Sequence, residues 1–214
     1  LEDREDSVRQ ACSKLISYDW LNMVDGDIIE LLEKLDVTKS EISEKAMEAL
    51  FQYRRDVISK IKFPQEVWND FTVETVFLLK CFYNHCIANE LLEIIDENFL
   101  EAAKLADVIQ RYIDQRFTDE SISDSDKSHL NFVIQQLLEI AYKYDFSDEI
   151  GRRAMLNVIR NALAKYRLSE PLVKISLKVL KVLSINERDF ITMTVEIITD
   201  IRDDDIEKQE LEEV

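Results

Sequence analysis

Only two glycines (Gly26, Gly151) and two prolines (Pro64, Pro171) occur in 214 residues. Tight β-turns and hairpins draw on Gly, Asn-Gly and Pro-x pairs, so a sandwich or barrel of this length would use many more. Leu, Ile, Glu, Lys and Ala dominate instead, a composition that suits helices. An apolar share of 46% excludes global disorder, although 33% of the residues are charged. The chain is expected to be all-α.

Apolar spacing places the helices. The first is predicted from Asp3–Ser7 to about Tyr18, burying Val8, Ala11, Cys12, Leu15 and Ile16. A short one follows Asp25-Gly26-Asp27, with Ile28, Ile29, Leu31, Leu32 and Leu35 as its stripe. Another starts at Ser40, a short segment covers Val57–Ile61, and Phe63-Pro64 stops it. Further helices are predicted over Val73–Ala88, Glu90–Asp96 and Phe99–Phe117. A polar Ser/Asp-rich loop, Thr118–Ser128, precedes His129–Tyr144 and supplies its cap. Ser147–Arg167, Ser169–Leu183 and Asn186–Asp203 complete the series. One helix per 20 residues or so means one pair per roughly 40, the period of HEAT and armadillo arrays. The expected fold is a HEAT-repeat α-solenoid of about five stacked antiparallel helix pairs over 1–203. The acidic segment 204–214 is expected to fray.

Charge is unevenly spread. The net charge is -17, which opposes non-specific binding to phosphate backbones by the chain as a whole. Between Gly151 and Arg188, however, nine basic residues face two acids, so that stretch is +7 and the remainder -24. Three cysteines (Cys12, Cys81, Cys86) are too few for a disulfide framework and suit reduced thiols inside a cell. No apolar run approaches the roughly 20 residues of a membrane span. The chain begins at Leu1 with no signal-peptide pattern, and an excerpt from a longer protein is expected.

Three stretches resemble the opening of a HEAT second helix: Asp3-Arg4-Glu5-Asp6-Ser7-Val8-Arg9-Gln10-Ala11, Thr38 through Ala46 and Leu50, and Ser169-Glu170-Pro171-Leu172-Val173-Lys174 through Leu183. An acid or Ser caps exposed amides, Val enters the core, a small residue permits close packing, and Pro in the first turn loses no amide bond. The succession Phe146–Ile150, Ala154–Leu163, Ile185-Asn186-Glu187-Arg188-Asp189-Phe190 and Val195-Glu196-Ile197-Ile198-Thr199-Asp200-Ile201-Arg202-Asp203 is more specific. It resembles the CAP-G-type HEAT subunit of condensin, most like the fungal versions. That resemblance implies an interior fragment of a curved, non-enzymatic scaffold acting on nuclear chromosomes in mitosis. Its implied partners are a kleisin segment and, jointly with it, double-stranded DNA. The SMC subunits, indirect partners, would hydrolyse ATP.

The basic island supplies the candidate contact residues. Arg153, Arg160 and Arg167 recur every seven residues, nearly two helical turns, and so form one stripe opposite the apolar face. Lys174, Lys178 and Lys181 form another on the next helix. Both stripes suit DNA phosphates or an acidic kleisin stretch; the alternative is solvated faces balancing nearby acids. Arg54, Arg55, Lys60 and Lys62 make a weaker cluster flanked by Asp56 and Glu66. Cys81 and His85 have a two-ligand spacing, but Phe77, Leu78, Phe82 and Ile87 around them point to packing, and no metal is expected. Trp20, Tyr53, Trp68, Tyr83 and Tyr112 are expected to be mainly core, with partner anchoring as the alternative. Two histidines and two glycines build neither a nucleophile–base pair nor a phosphate loop, so no catalysis, cofactor or small-molecule substrate is expected. A peptide-binding adaptor of the transport or phosphatase type, without a DNA role, is the second reading.

Overall fold

The computed structural model describes residues 6–15, 19, 22, 27–35, 37, 40–119 and 121–212, with the side chains of 6, 9, 10, 13, 35, 40–42 and 202–212 left out of the description. Among the described residues all regular structure is helical. The helices are α1 (Asp6–Lys14), α2 (Ile28–Leu35), α3 (Ser40–Tyr53), α4 (Arg55–Ile58), α5 (Val73–Ala88), α6 (Leu92–Asn98), α7 (Ala102–Thr118), α8 (Asp124–Tyr142), α9 (Glu149–Lys165), α10 (Glu170–Leu183) and α11 (Glu187–Glu212). They gather into two units, Leu1–Phe99 and Leu100–Val214.

In the first unit α5 is the central helix. Val76, Phe77, Leu78, Leu79, Phe82, Tyr83 and Cys86 are buried on every side of it, as in a helix enclosed all round. It packs against α2, α3 and α6, while α3 also meets α1. Aromatic rings fill the space beside it: Phe99 lies 4.8 Å from Tyr83, 6.2 Å from Phe63 and 6.2 Å from Trp68. A short 3-10 helix, Gln65–Trp68, follows Pro64 and drives Trp68 into this cluster; the spacing of apolar residues did not predict it. Asn98 ties the connection down, accepting from the Phe63 amide at 3.3 Å and donating to the Ile94 carbonyl at 2.9 Å. The predicted core of α1 needs correction. Val8 and Leu15 are 41% and 45% exposed and Ala11 is exposed too, because α1 lies at the margin of the unit and touches α3. Ile16 lies outside the described residues.

The second unit shows the repeat directly. α7 packs on α9 and α9 on α11, whereas α8 packs on α10. Neighbours α7–α8, α9–α10 and α10–α11 touch as well, giving two layers of alternating helices. The starts Ala102 and Glu149 fall 47 residues apart, and Asp124 and Glu170 fall 46 apart. Each helix gives one stripe to the shared core, for instance the buried Leu105, Ile109 and Ile113 of α7 and the buried Met155 and Ile159 of α9. α8 starts at Asp124, five residues before the prediction. Ser123 accepts the Asp126 amide at 3.2 Å, and the acids Asp124 and Asp126 suit the positive helix start, so the Ser/Asp run is the first turn as well as its cap. α11, the last helix, runs from Glu187 to Glu212.

Candidate partner-binding surfaces

α9 carries Arg153 and Arg160, but Arg167 lies beyond its end. Tyr166 turns extended (φ -121, ψ 141), its ring stacks on Phe117 at 5.0 Å, and its hydroxyl stands 3.5 Å from Asp114. Burial first, then the Asp114 carboxylate, push the Tyr166 phenol upward and keep it protonated. This anchor against α7 ends the helix, so the expected stripe of three arginines is two on a helix and one in the following connection. Glu149 receives Arg152 at 2.5 Å and Arg153 at 2.6 Å, which holds its carboxyl below the usual range. Arg160 sits between Glu196 (3.2 Å) and Asp200 (3.8 Å), one turn apart on α11. Lys174 pairs with Glu170 at 2.5 Å. Arg167, Lys178 and Lys181 are exposed and make no ion pair among the described residues. Lys178 stands 5.9 Å from the Tyr142 ring.

The weaker cluster is also partly neutralised. Arg54 donates through Nε and Nη2 to Asp56 at 2.8 and 2.9 Å, and these hydrogen bonds hold the Asp56 carboxyl at about 2. Lys62 pairs with Glu97 at 2.7 Å. Arg55 and Lys60 are exposed. Cys81 and Cys86 are buried, and burial pushes the Cys86 thiol up to about 11. The His85 ring packs 5.2 Å from Phe51, and among the described residues no group of three or more His, Cys, Asp or Glu is placed to hold a metal. No described helix is long and apolar enough to cross a membrane.

Beside His85 the surface of the first unit folds inward. A cavity of about 650 Å³ has Phe51, Ile58, Leu91 and Ile94 in its wall. A second, of about 200 Å³, is walled by Glu44, Glu48 and Asn84. Glu48, Phe51, His85 and Asn89 belong to both, which makes them one trough. Sequence reasoning missed it, because its walls come from α3 to α6 and their polar residues are ordinary helix-surface types.

No protein-family model matches the sequence. Condensin complex subunit 3 of Saccharomyces cerevisiae is 57% identical over 218 residues, which take in 100% of this chain and 21% of that protein. Condensin complex subunit 3 of Schizosaccharomyces pombe is 33% identical over 207 residues, 94% of this chain and 22% of the relative. The human protein of the same name is 27% identical over 218 residues. The chain resembles condensin complex subunit 3 along its whole length. It spans about a fifth of the relatives it matches, 21% of the budding-yeast protein. Among solved structures, the crystal structure of the S. pombe condensin Cnd3-Cnd2 subcomplex matches with a TM-score of 0.86 and 32% identity, over 99% of this chain and 28% of that one. The fold is therefore the all-α HEAT-repeat solenoid of condensin subunit 3.

Within that fold most expected aromatics are core. Trp68, Tyr83 and Tyr112 are buried at 3%, 2% and 3% exposure, and Tyr53 is half-buried; Trp20 lies outside the described residues. Lys80, a residue that sequence reasoning left unmarked, is 1% exposed, with its ammonium held by Glu44 and lying 4.9 Å from the Phe77 ring. It links α5 to α3.

Proposed function

We propose that this chain is part of a non-catalytic HEAT scaffold of condensin, working as condensin subunit 3 and binding the kleisin subunit. The observation that carries this is the match, at 32% identity and TM-score 0.86 over 99% of the chain, to the structure of the Cnd3-Cnd2 subcomplex. A stacked helix array buries its apolar stripes between neighbours and leaves long surfaces for an extended partner, which suits a scaffold. The full-length protein should co-purify with its kleisin subunit as a stable complex, and failure to form one overturns the reading.

Double-stranded DNA is the second partner in this proposal, held jointly with the kleisin on nuclear chromosomes during mitosis, with the SMC subunits reached indirectly. The net charge of -17 argues against DNA binding by the chain alone and favours a joint surface. Arg167, Lys178 and Lys181, exposed and without ion pairs among the described residues, are its natural phosphate contacts. Arg153, Arg160 and Lys174 are engaged by acids and contribute less.

A further inference from the structure

The trough of the first unit follows α3 from Glu44 to Gln52 and α5 from Cys81 to Ala88, with Asn89 just past its end. Eight residues of helix rise roughly 12 Å, a length that about four residues of extended chain cover. Its two ends differ in chemistry. The wide end offers apolar surface from Ile58, Leu91 and Ile94, with the exposed Arg55 at its edge. The narrow end and its junction with the wide one offer acceptors, since Asn84 lines the narrow cavity and Glu48 lines both. Glu48 is exposed and makes no ion pair among the described residues, and the buried Asn84 Oδ1 has no hydrogen-bond partner. Burial first and then Arg55 draw His85 below its ordinary range, while Glu48 opposes them. A buried acceptor without a donor is a standing cost that an incoming N–H group relieves.

We propose that this trough receives an extended partner segment of about four residues. A Lys or Arg of that segment lies where the two cavities meet, against Glu48 and with Asn84 Oδ1 on the narrow side, and an aliphatic or aromatic side chain lies against Ile58 and Ile94. Arg55 sets the direction, since it repels a cation at the wide end. The inference rests on the reading that the chain binds the kleisin subunit, and it locates one stretch of that subunit.

The test uses the full-length protein with a photo-cross-linking residue at the exposed Gln52, or at the exposed Asp107 of α7 as control, mixed with its kleisin subunit. Cross-links from Gln52 should map to a kleisin stretch in which a basic residue stands close to a large apolar one, with none from Asp107. Glu48→Arg, at an exposed position, should lower that cross-linking tenfold or more while the unfolding midpoint stays put. If the kleisin binds but Gln52 stays unlinked, links to a stretch without a basic residue, or ignores Glu48→Arg, the trough proposal is overturned and the scaffold reading stands. If the kleisin does not bind at all, both fall.

Discussion

At Gly151 two opposing effects of one methyl group are weighed against each other. Alanine favours a helix over glycine by about 1 kcal/mol, so the substitution would ordinarily stabilise α9. An added Cβ, however, would stand 2.4 Å from Ala102 Cβ and 3.2 Å from the Ala103 amide nitrogen. Ala102 is buried and has no rotamer with which to yield, so α7 and α9 must separate. Gly151→Ala is expected to lower stability by about 1–3 kcal/mol, read as a lower urea midpoint at unchanged m; a raised midpoint would show that the helices part easily. The buried Lys80 gives a similar contrast. Glu44→Ala removes a carboxylate that holds a buried ammonium and should cost roughly 1–3 kcal/mol, between the values for exposed and buried pairs, because Glu44 is itself 45% exposed. Lys80→Met removes charge and desolvation together and should leave stability within about 1 kcal/mol. Equal losses in the two variants would contradict this. His85 sets a pH dependence. Burial, then Arg55, lowers its pKa below 6.5, so under acid the unfolded chain binds a proton that the folded chain resists. Stability should fall as pH drops below 6.5, and His85→Gln should flatten that part of the pH–stability curve.

Helix ends are the element-scale problem for a chain so poor in glycine. α6, α7, α9 and α10 end on residues with extended backbone, Phe99, Asp119, Tyr166 and Ser184, rather than on a left-handed glycine. At the end of α5 the chain does turn left-handed, and Glu90 takes φ 54 while the Leu91 amide reaches the Cys86 carbonyl at 2.9 Å. A side chain in that region costs about 1–2 kcal/mol that glycine avoids. Glu90→Gly should therefore raise stability by roughly 1 kcal/mol in thermal unfolding, and no gain would mean that the Glu90 side chain repays the strain. These endings also explain what the sequence made legible. α5 was predicted to its end residues, since Thr72 caps it and its apolar run is continuous. The end of α9 was misplaced because Arg167 keeps the helical spacing, while the stop comes from Tyr166 stacking on Phe117, a contact 49 residues away in sequence. α1 was given a core because Val8, Ala11 and Leu15 keep the spacing too, and periodicity says which residues share a face, not whether another helix covers it. The trough escaped for a related reason: Glu48 and Asn84 acquire meaning only when α3 lies beside α5.

For the whole molecule the proposal that an acidic chain holds DNA jointly with a kleisin turns on which of its cations are unpaired. Each phosphate neutralised by a Lys or Arg contributes about 0.9 to the slope of log affinity against log salt, provided that cation was not already paired. Arg153, Arg160 and Lys174 have carboxylate partners within 2.5–3.2 Å, so moving to phosphate exchanges one anion for another and releases few counterions. Arg167, Lys178 and Lys181 have no such partner among the described residues. In the complex of the full-length protein with its kleisin subunit, replacing these three by alanine should make the salt slope shallower by about two to three. The matching triple replacement of Arg153, Arg160 and Lys174 should change it by less than about one. A slope that responds equally to both sets would place the DNA elsewhere, and the island between Gly151 and Arg188 would then serve the fold by balancing the acids of α11.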